Sequence, residues 1–123
     1  MRSRSRSVLL VEDDNAIADL YAWKLRLDGI TVHQAADSTT AEVIFEKARP
    51  GVVCLDQRLP DRSGARAAPG FARAGATVVL LTNDQSSFER PPNGVTRALM
   101  KSRTTPAQLS QIVTELLESR TPR

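Results

Sequence analysis

Apolar residues fall in short, unbroken runs along this chain. Residues 8–11, 52–55 and 78–81 are each wholly apolar, and each run is bounded by polar or turn-forming residues. Runs of this length predict strands buried on both faces, as in parallel sheets. Two weaker runs, at 30–35 and 96–100, predict two further strands. Between the runs the period changes. Ile17, Leu20, Tyr21 and Lys24 follow helical spacing and Gly29 supplies a stop, so residues 15–28 predict a helix. Tyr21 and Trp23 are expected to pack that helix on the sheet. Thr39-Thr40-Ala41-Glu42 has capping-box form ahead of Val43, Ile44 and Phe45. Thr105, with Pro106 at the first helical position, caps a last helix whose buried face is Leu109, Ile112, Val113, Leu116 and Leu117. Two helical segments are weaker. Pro69-Gly70 interrupts residues 65–74 and Pro91-Pro92 interrupts 83–94, so both are expected to be short or irregular.

A strand followed by a helix, repeated along the whole chain, predicts an α/β fold with a doubly wound, five-stranded parallel sheet. At 123 residues and 41% hydrophobic content, one domain with one full core is expected. No stretch approaches the eighteen or so apolar residues of a membrane span. The apolar run after the first seven residues is too short for a signal peptide, which points to the cytoplasm. The lone Cys54 lies mid-strand, fits a reducing compartment and reads as a small buried hydrophobe. The single His33, without partners, is given no role. The net charge of +3 equals the contribution of Arg2, Arg4 and Arg6, so residues 1–7 read as a flexible basic leader and 8–120 as the domain. No helix carries a basic, base-reading stripe, which argues against DNA binding.

The polar residues that follow the predicted strands are the informative ones. Glu12 and Asp13 follow the first, Asp56 the third, Thr82 the fourth and Lys101 the fifth. In a parallel sheet those ends share one edge, where ligand sites of open α/β sheets lie. Three carboxylates forced together repel, and a divalent cation relieves that repulsion. Oxygen ligands without His or Cys favour Mg²⁺ or Mn²⁺ over zinc. With an ammonium and a hydroxyl opposite, the set forms a cradle for a phosphoryl group on Asp56.

The blocks from Leu9 to Asp14, from Asp56 through Leu59-Pro60-Asp61 to Ser63-Gly64, Leu81-Thr82 and Leu99-Met100-Lys101 resemble the signature blocks of response-regulator receiver domains. The resemblance covers nearly everything after the arginine tail. It implies a flavodoxin-like fold. It also implies that Asp56 takes a phosphoryl group from a sensor histidine kinase or a histidine phosphotransfer protein, with Mg²⁺ bound. Asp13 would ligate the metal directly, Glu12 through water, and the backbone carbonyl of Arg58 would be a third protein ligand beside Asp56. Thr82 and Lys101 would hold the phosphoryl oxygens. The output would be binding of a downstream protein target, with a homodimer possible, rather than enzymatic turnover.

Several positions depart from the family pattern. Ala98 stands where an aromatic switch residue is usual, and Asn83 where a small residue follows the threonine. Ser102 replaces the usual proline after the lysine. A cis bond before serine would cost about 3–4 kcal/mol, so a trans, rearranged loop is expected there. Arg58 and Asp84 flank the pocket and are placed to pair across its mouth, an exposed contact worth at most about 1 kcal/mol. These departures motivate a second reading, a pseudo-receiver that binds partners without phosphorylation. A third, a hydrolase of the haloacid-dehalogenase type, needs an Asp where Arg58 stands and a cap the chain is too short to supply.

Overall fold

The computed structural model describes residues 5–120. Five strands form one parallel sheet: β1 (Ser5–Val11), β2 (Thr31–Ala35), β3 (Pro50–Asp56), β4 (Thr77–Thr82) and β5 (Arg97–Met100). Their order is β2-β1-β3-β4-β5, so the winding reverses between β1 and β3. This is the flavodoxin-like arrangement, and the crevice at the reversal lies beyond the carboxyl ends of the two central strands. The helices are α1 (Asn15–Leu27), α2 (Ser38–Ala48), α3 (Gly64–Arg73), α4 (Gln85–Glu89) and α5 (Pro106–Ser119), with a 3₁₀ turn at Lys101–Arg103.

Alternation along the strands divides the core into two layers. Val8, Leu10, Val52, Cys54, Val79 and Leu81 face α1 and α5, whereas Leu9, Val11, Val53, Leu55, Val78 and Leu80 face α2 and α3. Every residue of β3 is buried, as a central parallel strand requires. Cys54 is fully buried there, and desolvation pushes its thiol up to about 12.

Several sequence expectations shift. β1 begins at Ser5, pairing Ser5 with Pro50 and Ser7 with Thr31, so residues 5–7 belong to the strand and not to a leader. Buried partners on both sides extend a strand past the point where its own residues turn polar. Arg6 is exposed in that strand, and Arg2 and Arg4 lie outside the described residues. Trp23 does not pack on the sheet; it is 60% exposed, with Leu20 and Leu27 beside it on the outer face of α1. The buried stripe of α1 is Ala18, Tyr21, Ala22 and Leu25, and position 23 falls off that stripe towards solvent. The N-cap of α2 is Asp37, whose side chain accepts from the Thr40 amide, so the helix starts before the Thr39–Glu42 box. α4 is short as expected, with five residues, none of them buried. The expected break at Pro69-Gly70 does not occur: α3 runs ten residues through Pro69, its N-terminus capped by Ser63 and its buried face built from Ala67, Ala68 and Phe71.

Asp61, from the loop after β3, supplies a second cap to α2. Its carboxylate accepts from the Ser38 and Thr39 amides at 2.9 Å each and from the Thr39 hydroxyl at 2.8 Å. First-turn amides have no partner within their own helix, so an acceptor from another loop satisfies them and anchors that loop in return. Leu59 packs against the α2–α3 core layer in the same loop. The hydrogen bonds from Ser38 and Thr39 hold the Asp61 carboxyl well below the ordinary carboxylate value of 3.8. Stability from a lowered carboxyl is present above the ordinary value and is lost as pH falls towards the folded one. Resistance of the wild type to urea is therefore expected to fall below pH 3.8, and Asp61→Asn to remove part of that dependence. An identical acid limb in the variant would contradict the capping role.

Candidate functional site

Glu12 follows the last residue of β1, and Asp56 is the last residue of β3. Both continue the α1–α5 side of the pleat, after Val8 and Leu10 on one strand and Val52 and Cys54 on the other. Pleat parity thus puts two carboxylates side by side at the reversal point, both nearly removed from water. Lys101, immediately after β5, extends into the same space. Its ammonium lies 2.6 Å from Glu12 Oε1 and 3.1 Å from Asp56 Oδ2. One cation thus bridges both buried anions. Burial alone pulls the Lys101 ammonium down, but hydrogen bonds to Glu12 and Asp56, with their charges, outweigh it and hold the group above its ordinary value. The second oxygen of Glu12 accepts from the Asp14 amide at 3.1 Å, and Asp14 in turn caps α1 through the Ile17 amide.

Asp13 points to the exposed side of this cluster. Glu12, Asp13 and Asp56 each offer a carboxylate oxygen, all within 4.8 Å of one another. An all-oxygen set of this size suits a hard divalent cation. A cavity of about 660 Å³ opens onto Asp56, lined also by Gln57, Arg58, Thr82, Asn83, Asp84 and Lys101. The site residues expected from sequence are therefore assembled at one edge, with Arg58 exposed at the rim.

Thr82 lines the pocket, whereas Asp84 is placed otherwise than expected. Thr82 reaches the site from the opposite side of the pleat, following Val78 and Leu80, and its hydroxyl oxygen accepts from the Asp84 amide at 2.9 Å. Asp84 does not bridge to Arg58. Its carboxylate accepts from the Ser87 amide and hydroxyl as the cap of α4, because a short helix with no buried face depends on its cap.

The loops around the pocket are tied down by contacts that sequence patterning did not reveal. The Tyr21 hydroxyl donates to the Thr104 carbonyl at 2.9 Å, fixing the segment after Lys101 against α1. Desolvation is the main reason that hydroxyl titrates above its ordinary range. The Ser102 amide donates to Asn83 Oδ1 at 2.8 Å. Gly64 packs against Asp56 itself: its amide donates to the Gln57 carbonyl at 2.9 Å, and a Cβ there would collide with the Asp56 carbonyl oxygen. The Ser63-Gly64 signal was visible in the sequence, but its cause, the close approach of α3 to the end of β3, was not.

With this geometry in hand, the chain can be placed among known proteins. Residues 8–113 match the response regulator receiver domain family, and the chain belongs to that family. It is 33% identical over 85 residues to the sensory transduction protein RegX3 of Mycolicibacterium smegmatis, covering 68% of this chain and 37% of that protein. It is similarly 33% identical over 86 residues to the probable transcriptional regulatory protein TcrX of Mycobacterium tuberculosis. The chain thus spans little more than a third of these relatives, 37% of their length. The receiver domain of the Francisella response regulator 1452 superposes with a TM-score of 0.85 at 20% identity, covering 95% of this chain and 100% of that one. TrrA from Thermotoga maritima, in complex with Mg²⁺–BeF, gives 0.80 at 23% identity, covering 91% and 99%. These structures share the fold.

Gly64→Ala is expected to lower stability by about 1–3 kcal/mol and to displace the end of β3, read as shifted amide resonances at Asp56 and Gln57. Unchanged resonances would show that the loop absorbs the methyl. Stability from a raised lysine is present below the ordinary value of 10.5 and is lost as pH rises through the folded value, and raised Tyr21 has the same sign. Unfolding free energy is expected to drop as pH rises above 10.5, with Lys101→Met lacking that component; a flat profile would contradict the bridge.

Proposed function

We propose that Asp56 is the phosphoacceptor of a two-component phosphorelay and that the domain signals by binding a protein partner. The observation that carries this reading is the bridging of buried Asp56 and Glu12 by Lys101 at the mouth of an open pocket. A buried carboxylate at the end of a rigid strand is a fixed nucleophile, and an ammonium beside it is preorganised for added negative charge. In the transfer, a bond forms between an Asp56 oxygen and phosphorus as the bond from phosphorus to the donor's histidine nitrogen breaks. The imidazole leaves with the electron pair. Lys101 holds the incoming phosphoryl oxygens by charge, and the Thr82 hydroxyl, which accepts from the Asp84 amide through its oxygen, donates a hydrogen bond to another.

Asp13, Asp56 and the Arg58 carbonyl are assigned to hold Mg²⁺, with Glu12 acting through water. The close carboxylate oxygens of Glu12, Asp13 and Asp56 support that assignment. When bound, the ion neutralises charge that builds on the phosphoryl group. The donor is a sensor histidine kinase or histidine phosphotransfer protein, and the receiver contributes at most its own phosphorylation and dephosphorylation. Among the described residues no helix is long and apolar enough to cross a membrane, and we place the protein in the cytoplasm. Downstream, the reading is a protein target or a second copy rather than DNA for this domain.

Incubation with Mg²⁺ and acetyl phosphate is expected to add one phosphoryl group by mass, and Asp56→Ala to abolish the addition. A Lys101→Met variant is expected to lose about 3 kcal/mol of stability, because it strands two buried carboxylates, and to be modified far more slowly. No modification of the wild type and no measurable Mg²⁺ affinity would overturn the proposal and leave a phosphorylation-independent interaction module.

A further inference from the structure

Two of the positions that depart from the family pattern meet each other in space. Asn83 is the residue after Thr82 and Ser102 the residue after Lys101, and the Ser102 amide donates to Asn83 Oδ1 at 2.8 Å. Proline at 102 would have no amide hydrogen to give, and alanine or glycine at 83 would have no side-chain acceptor. The 3₁₀ turn at Lys101–Arg103 has no side-chain cap from its own N-cap residue, Met100. Its first amides lack partners within the turn, and Asn83 supplies the acceptor from the neighbouring loop. The contact therefore has a local cause, although both residues are exposed.

Its position gives it a consequence for chemistry. The bond joins the immediate neighbours of the two donors, Thr82 and Lys101, which approach Asp56 from different strands and opposite sides of the pleat. The Lys101 segment is braced from its other side by the Tyr21–Thr104 bond and by the Thr104 hydroxyl, which donates to the Met100 carbonyl at 2.8 Å. The loop after β4 is held within itself, by the Asp84 amide on the Thr82 hydroxyl and by the Asp84 cap of α4, a helix that buries none of its residues. We infer that Asn83 is a positioning residue, whose bond to the Ser102 amide holds Thr82 and Lys101 in register for the phosphoryl group on Asp56. The inference rests on the phosphoacceptor reading for its chemistry, but the coupling between the loops can be measured without it.

Three substitutions separate the bond from the bulk of the side chain. Asn83→Leu keeps the volume at the pocket mouth and removes the acceptor, Asn83→Ala removes both, and Asn83→Asp keeps the acceptor. In Asn83→Leu, hydrogen exchange at the Ser102 amide is expected to quicken and phosphoryl uptake from acetyl phosphate to slow, each about three- to tenfold, the worth of one hydrogen bond. Mg²⁺ affinity is expected to stay within about twofold of wild type, since the metal-facing carboxylates lie on other strands. Asn83→Asp is expected to restore protection at Ser102. Wild-type behaviour of Asn83→Leu, with a change only in Asn83→Ala, would assign the effect to bulk and overturn the inference. If wild type takes up no phosphoryl group, the phosphoacceptor reading fails. The positioning claim is then decided by side-chain scalar couplings of Thr82 and Lys101: averaging in Asn83→Leu supports it, and unchanged couplings overturn it.

Discussion

Everything at the carboxyl edge of this sheet depends on one ammonium group between two buried carboxylates. Glu12 and Asp56 are each held by the strand behind them, and neither can move away from the other without breaking a parallel ladder. Left unpaired, like charges so placed would be strongly destabilising. Lys101 resolves this at 2.6 and 3.1 Å and, in doing so, fixes the position of a loop that begins two strands away. Central strands, pleat parity and charge balance act here as one constraint.

The supports around that constraint are unequal. On one side the loop after β3 is anchored by Asp61 to the start of α2 and by Gly64 to the backbone of Asp56. On the other, the loop after β4 leads into a five-residue helix with no buried side chain. Such a segment has little packing to lose, so its conformation rests on a few polar contacts. The pocket therefore has a stiff wall and a compliant one. A change of charge at Asp56 would be felt first by the compliant wall, where Thr82 lies.

Much of this was legible in the sequence because it follows from short-range rules. The apolar runs at 52–55 and 78–81 gave β3 and β4, and the polar residue ending each run gave Asp56 and Thr82. Glu12 and Lys101 followed from the same reasoning, since parallel strands end at one edge. What escaped was set by tertiary context. Ser5 to Ser7 join β1 because partner strands pair with them, not because of their own propensity. Trp23 turned outward because position 23 falls off the buried stripe of α1, and a helical list of apolar residues does not reveal which side faces in. The Asp61 cap, the Tyr21–Thr104 bond and the Asn83–Ser102 bond span 22, 83 and 19 residues, beyond any local pattern. For the last of these a signal did exist: two unusual residues flanked the two expected donors.

Cys54, the only cysteine in the chain, stands two positions before Asp56 on the same side of the same strand. Its thiol is sealed in the core with its pKa pushed up to about 12, so at neutral pH almost none of it is thiolate. Oxidants and electrophiles react with thiolates that they can reach. The strand that presents Asp56 to the pocket therefore carries no thiol open to peroxide or to disulfide exchange.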